Sequence, residues 1–264
     1  MNAIILAAGQ GKRLRPLTND RPKCLVEFYG RTLLDRQISV FQKCGINDIC
    51  VVTGYNDHMF KNSNLEYIHN ENFTSTNMLN SFFCAEKKIM ESTIVCYGDI
   101  IFEEKVLRRL INAKDDFSII IDKNWQEYWK LRFDNPIDDA ESLTLDEGDY
   151  ITEIGQEVDD ITKINGQYIG LMKFQNNAIE TIKSFFIKCE QNYNENKTNL
   201  LHSERSFDDS YMTDFLQGLI KQGKKLKAIF IENGWLEFDN IHDYNLYTDD
   251  KLESKIRKFY DIND

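Results

Sequence analysis

Leu6-Ala7-Ala8-Gly9-Gln10-Gly11-Lys12-Arg13-Leu14-Arg15-Pro16-Leu17-Thr18 leaves an apolar strand and enters a loop of glycine and basic residues, and Pro22-Lys23 follows. Small residues let the backbone approach a phosphate and turn successive amide N–H groups toward its oxygens. Lys12, Arg13, Arg15 and Lys23 supply the countercharge. A dinucleotide fingerprint needs a third glycine opening a helix, which is missing, and the spacing is not that of a GxxxxGK[ST] loop. Pro16 also stops a long helix from starting directly after Gly11. The segment therefore reads as a cradle for a triphosphate, against the plainer reading of a surface turn with solvated basic residues.

Working outward, the apolar periodicity predicts a strand at 2–7, a helix at 33–44 ended by Gly45, and strands at 48–53 and 65–69. A helix at 77–88 capped by Ser75 or Thr76, a strand at 93–97, a helix at 103–113 and a strand at 117–122 follow. This alternation predicts an α/β fold, with a Rossmann-like, mixed but mostly parallel sheet flanked by helices. The polar run 190–199 reads as an exposed loop, and the charged run 247–264 as a capping helix.

Composition sets limits on function. A formal net charge of −11 argues against a general nucleic-acid binder and suits a small anionic ligand met by a local basic loop. No segment is long and apolar enough to span a membrane, and the start lacks a basic n-region, so the cytoplasm is the expected location. The six cysteines have no CxxC spacing and read as buried free thiols. The four histidines form no ligand-spaced cluster.

Tyr97-Gly98-Asp99 stands where a buried strand ends, the place where ligands collect in open α/β sheets. A carboxylate there suits a metal, and magnesium takes one or two carboxylates plus substrate phosphates, so a second acidic position is expected. Gly234-Trp235-Leu236-Glu237-Phe238-Asp239 supplies one, with Glu237, Asp239 and Trp235 on one face of a short strand. A cap at Asp99 and a solvated edge strand at Glu237 and Asp239 are the competing readings. Trp125 and Trp129 are four residues apart, with Arg132 beside their stripe. Such an aromatic wall can hold a small cation while Arg132 or Lys123 faces its phosphate; plain core packing explains the rings equally well.

The segment from Leu6 to Thr18 with Pro22-Lys23 resembles the signature of nucleotidyltransferases that activate sugar phosphates and small phosphorylated alcohols. The resemblance implies a nucleotide-diphospho-sugar transferase type of fold with an acceptor-binding insert. It implies that Leu6, Ala7, Ala8, Gly9, Gly11, Lys12, Gly98 and Asp99 surround the nucleotide, and that Arg13 and Lys23 contact its phosphates. Asp99 matches the first magnesium-binding aspartate, and the Glu237-x-Asp239 pair matches the second acidic site of the choline-phosphate cytidylyltransferase branch. The run from Asp122 to Glu141 resembles the acceptor-side insert of cytidylyltransferases acting on phosphocholine, 2-aminoethylphosphonate and phosphoglutamine, which makes Trp125, Trp129, Arg132, Asp139 and Glu141 acceptor candidates. Asp208 and Tyr211 fall in a similar acceptor-contacting segment, although Asp208 or Asp209 also suits a helix cap. Tyr168 begins a strand bordering the same pocket. Thr76, Asn77 and Ser81 fall where the family reads the nucleobase and suit cytosine or uracil.

The expectation is one domain over 1–264, with a nucleotide half to about 122, an acceptor half over 123–248 and a C-terminal helix over 249–264. The expected reaction joins CMP from CTP to a small phosphorylated or phosphonate metabolite with Mg2+, releasing pyrophosphate, in a monomer or homodimer. The acceptor's ionised oxygen attacks the α-phosphorus with no general base, so Arg13, Lys23 and Lys123 act by position and charge. A sugar-1-phosphate enzyme using UTP or dTTP and a non-catalytic nucleotide-binding regulator are the alternatives.

Overall fold

The computed structural model describes residues 1–202 and 204–262. The first half of the chain forms β1 (Asn2–Leu6), a hairpin of β2 (Glu27–Phe28) and β3 (Arg31–Thr32), α1 (Leu33–Lys43), β4 (Ile49–Thr53), β5 (Glu66–His69) and α2 (Met78–Cys84). Then come β6 (Ser92–Tyr97), β7 (Ile100–Phe102), α3 (Glu104–Asn112), β8 (Phe117–Asp122) and α4 (Trp125–Arg132). The second half adds β9 (Leu143–Leu145), β10 (Tyr150–Ile154), β11 (Gln167–Gln175), α5 (Asn177–Asn196), α6 (Met212–Lys221), β12 (Leu226–Ile231), β13 (Trp235–Glu237), α7 (Ile241–Thr248) and α8 (Glu253–Ile256).

Nine strands form one twisted sheet in the order β5-β4-β1-β6-β11-β8-β12-β10-β9. β5, β4, β1 and β6 are mutually parallel, β12 is parallel to β8, and β10 and β11 run against the rest. The mixed, mostly parallel α/β sheet is the one expected from the alternating pattern. Every residue of β1, β4 and β8 is buried, as strands covered by helices on both faces must be. After β1 the chain builds outward through β4 to β5, then returns to place β6 on the other side of β1. The crevice beyond the carboxyl ends of β1 and β6 is thus a topological switch point.

Three boundaries differ from expectation. α2 is capped by Asn77, whose side chain accepts from the Met78 amide, because the Thr76 hydroxyl is committed to the Asn72 carbonyl. The polar run expected as a loop over 190–199 is mostly the last turns of α5, which Phe185, Phe186, Cys189 and the Tyr193–Phe207 ring contact hold to the core while the polar residues face solvent. The C-terminal run forms only the short α8 after α7 instead of one helix over 249–264, and residues 263 and 264 lie outside the described residues. Cys24, Cys50, Cys96 and Cys189 are buried free thiols, whereas Cys84 is exposed. Among the described residues no helix is long and apolar enough to cross a membrane.

Candidate active site

The loop after β1 and the turn after β6 meet because Gly98 has no side chain. Its amide donates to the Leu6 carbonyl at 2.9 Å, and a Cβ there would lie 2.7 Å from that same oxygen. A second glycine shapes the loop itself. Gly11 has φ +60° and sits against Lys23, so that a Cβ would lie 2.9 Å from the lysine Cβ, while the buried Thr18 hydroxyl donates to the Gly11 carbonyl at 2.7 Å. The loop is therefore held by its carbonyls. Among the described residues the amide N–H groups of Gly9, Gln10, Gly11, Lys12 and Arg13 have no hydrogen-bond acceptor. They border a cleft of about 640 Å³, a row of unclaimed donors of the kind that receives an anion.

Leu6, Ala7, Ala8, Gly9, Gly11, Lys12, Arg13, Lys23, Gly98 and Asp99 all line that cleft, as their sequence reading requires. So do Thr76, Asn77, Ser81, Tyr211 and Asp239. Asn70 donates to both the Thr76 and Ser81 hydroxyls at 3.0 Å, which fixes the hydroxyls that face the cleft. The Asn77 backbone amide donates to the Asp208 carbonyl at 2.8 Å, tying the start of α2 to the segment before α6.

The acidic positions come together through a small ribbon. β13 pairs antiparallel with β7, setting Glu237 opposite Ile100, and the Phe238 amide donates to the Asp99 carbonyl. One carboxylate oxygen from each of Asp99, Glu237 and Asp239 then lies within 4.8 Å of the others. Lys23 Nζ stands among them, 2.9 Å from Asp99 and 3.3 Å from Asp239, and Arg13 reaches Asp239 at 2.6 Å. Burial works against the charge on Lys23, but Asp99 and Asp239 outweigh it and the pKa is raised. Burial, with Asp99 and Asp239 close by, pushes Glu237 up to about 7 even though Arg132 opposes the shift. Asp99 Oδ1 is buried without a hydrogen-bond partner. A carboxylate oxygen left bare beside two more carboxylates is an oxygen donor set that a hard divalent cation would complete.

Other expected site residues lie elsewhere. Trp125 and Trp129 are each 2% exposed and pack edge-to-face with each other, and Trp129 also packs with Trp235; they are core, and offer no open wall to a cation. Trp235 itself turns inward and donates to the buried Asp122 carboxylate at 2.7 Å. The Arg132 side chain is fully buried, bidentate to Asp243 at 2.9 Å and paired with Glu237 at 2.7 Å, beneath the rings of Tyr128, Trp129 and Phe133. It supports the acidic cluster from behind. Lys123 is exposed, its ammonium 3.7 Å from the Phe230 ring centre, and does not line the cleft. Tyr168 is buried behind the cleft-lining Tyr97 ring, edge-to-face at 5.7 Å. Asp139, Glu141 and Asp208 are exposed and outside the lining.

Sequence reasoning passed over Tyr97 and Asp243. The Asp243 carboxylate takes Arg132 and also accepts the amides of Asp239 and Asn240, fixing one acidic position through its backbone. The spacing Asn240-x-x-Asp243 is that of a capping box and was visible; the pairing with Arg132 was not.

Residues 3–147 match the family model described as a MobA-like NTP transferase domain. The chain is 37% identical over 254 residues to the CTP:phosphoglutamine cytidylyltransferase of Campylobacter jejuni, covering 92% of this chain and 97% of that protein. It is 30% identical to the choline-phosphate cytidylyltransferase of Streptococcus pneumoniae over 45% of this chain and 53% of that one. Among solved structures, the inositol-1-phosphate CTP transferase from T. maritima superimposes with a TM-score of 0.72 at 23% identity, covering 98% of this chain and 97% of that one. The CTP:phosphocholine cytidylyltransferase from Streptococcus pneumoniae does so with 0.68 at 20%, covering 97% and 98%, so the nucleotidyltransferase fold is shared throughout. With the phosphate-facing loop, the paired acidic positions and a full-length relative in agreement, the chain belongs to the nucleotidyltransferases with a MobA-like NTP transferase domain, in their cytidylyltransferase branch.

Proposed function

We propose that this enzyme transfers CMP from CTP to a small phosphorylated amino metabolite of the phosphoglutamine kind, releasing pyrophosphate. The observation that carries the reading is the convergence of unclaimed loop amides, Lys23, Asp99 and Asp239 on one cleft, with the Glu237 carboxylate beside them, in a chain similar over 92% of its length to a phosphoglutamine cytidylyltransferase. An ionised oxygen of the acceptor phosphate attacks the α-phosphorus of CTP. The new P–O bond forms as the bond to the bridging oxygen of the β-phosphate breaks, and no proton has to move. The loop amides and Arg13 hold the β- and γ-phosphates, and Lys23 follows the charge that develops on the α-phosphate oxygens. Thr76, Asn77 and Ser81 border the pyrimidine.

Magnesium would be held by Asp99, Glu237 and Asp239, the set with the bare Asp99 oxygen, and when bound it supplies charge neutralisation at phosphate oxygens. In this reading residues to about 122 handle the nucleotide and 123–248 the acceptor side. We assign the reaction to the cytoplasm and its CDP-linked product to the decoration of surface polysaccharide or lipid.

The test is pyrophosphate release with Mg2+ across the four ribonucleoside triphosphates and dTTP, paired with phosphoglutamine, 2-aminoethylphosphonate, phosphocholine and glucose-1-phosphate. Turnover with CTP and an amino-phosphate acceptor, lost in Asp99→Asn, is the expected result. Turnover only with UTP or dTTP and the sugar phosphate would reject the acceptor class, and silence with every pair would reject the transfer itself.

A further inference from the structure

The segment before α6 carries a cation that the transfer chemistry does not use. Arg205 lies with its guanidinium carbon 4.4 Å from the ring centre of Tyr211, and Tyr211 is 41% exposed and lines the cleft. Its Nη1 is anchored on Asp214, 3.0 Å from Oδ2 and 3.3 Å from Oδ1. Asp214 is buried and fixed in turn by the Tyr211 amide at 2.8 Å. Among the described residues Nε and Nη2 of Arg205 have no acceptor, and they form the edge of the guanidinium that grips a carboxylate with two parallel hydrogen bonds. Stacking on one face and an anchor at one nitrogen hold the fork still, so little rotamer freedom is left to lose on binding.

Arg205 itself stands outside the cleft lining, reaching it across the Tyr211 ring. The segment is also tied to the nucleotide side, since the Asp208 carbonyl accepts from the Asn77 amide and from Asn80 at 3.3 Å. One cation with a free edge, stacked on a cleft-lining ring, matches an acceptor end that carries a carboxylate.

We infer that Arg205 is a specificity-determining residue that binds the carboxylate of an amino-acid-derived acceptor, with Tyr211 as its platform. This rests on the proposed transfer to a phosphoglutamine-type acceptor and adds the group that selects it. Acceptors of the same length without a carboxylate leave the guanidinium edge empty and are rejected.

The test compares phosphoglutamine with its decarboxylated analogue at saturating CTP and Mg2+, in wild type, Arg205→Gln and Arg205→Lys. Wild type should favour phosphoglutamine by about 100-fold in kcat/KM, the size expected for one charge-assisted bidentate contact. Arg205→Gln should lose that preference through KM for phosphoglutamine alone, with the analogue and the KM for CTP within about twofold, and Arg205→Lys should restore part of it. Equal losses on both acceptors, or a preference that survives in Arg205→Gln, overturn the role of Arg205 while leaving the transfer intact. If wild type uses neither acceptor with CTP, the transfer reading fails and this inference with it. Thermal melting of each variant, with and without CTP, separates an unfolded variant from a selective one; should Arg205→Gln not fold, Tyr211→Leu takes its place, with the same loss of preference expected and an unchanged preference counting against.

Discussion

The loop at Gly9–Arg13 and the helix α4 both carry positive charge next to groups that can bind a ligand, yet their polar atoms are in opposite states. In the loop, backbone donors point into a cleft with no acceptor, and Lys23 sits half between two carboxylates. Around α4, Arg132 is fully buried and its nitrogens are matched by Asp243 and Glu237, with aromatic rings closing over it. A buried guanidinium whose nitrogens are all matched has little free energy left to offer a ligand, whereas a loop with bare donors does. The difference lies in pairing, and pairing is a property of the three-dimensional contact.

That contrast breaks most easily at α4. Arg132→Met should cost about 3–5 kcal/mol by leaving Asp243 buried and unpaired, read as a large fall in melting temperature. A variant that keeps its melting temperature and loses only acceptor affinity would return Arg132 to the ligand. Lys23→Met should do the reverse, keeping the melting temperature while kcat falls by about 100- to 1,000-fold, as when a preorganised charge is withdrawn from the transition state. Unfolding of Lys23→Met would make the loop as structural as α4. Gly11→Ala sharpens the loop side: the left-handed backbone costs about 1–2 kcal/mol for a residue with a Cβ, and the Lys23 contact adds to it, so CTP affinity measured by titration should drop by tenfold or more. Lys123→Ala is the control, removing an exposed cation–π contact of about 0.5–1 kcal/mol and leaving kcat/KM unchanged; a loss of activity there would extend the cleft to β8.

The same contrast explains what could be read from residues alone. The sheet and the loop were legible because alternating apolar runs and glycine spacing are local signals, Asp99 because it follows a buried strand, and Glu237 and Asp239 because they alternate along a short one. Local pattern also fixed α1, where Thr32 caps the helix with Asp35. Trp125, Trp129 and Arg132 were misplaced because four-residue spacing gives one helical face without saying what covers it. The covering comes from Trp235 and from Asp243 more than a hundred residues later. Lys123 failed for a related reason, since a lysine at a strand end points to either side of the sheet edge. Arg205 had no motif around it, and only its stacking on Tyr211 singles it out.

The ribbon of β7 and β13 has a consequence for the newly made chain. Asp99 is supplied early in synthesis, but Glu237 and Asp239 reach it only when Trp235–Glu237 zips onto Ile100–Phe102, and that strand is itself pinned by the Gly234 amide on the Phe259 carbonyl. A chain stopped short of Trp235 would carry the loop sequence and Asp99 and lack two of the three acidic partners. The acidic set is thereby completed more than a hundred residues after its first member is made.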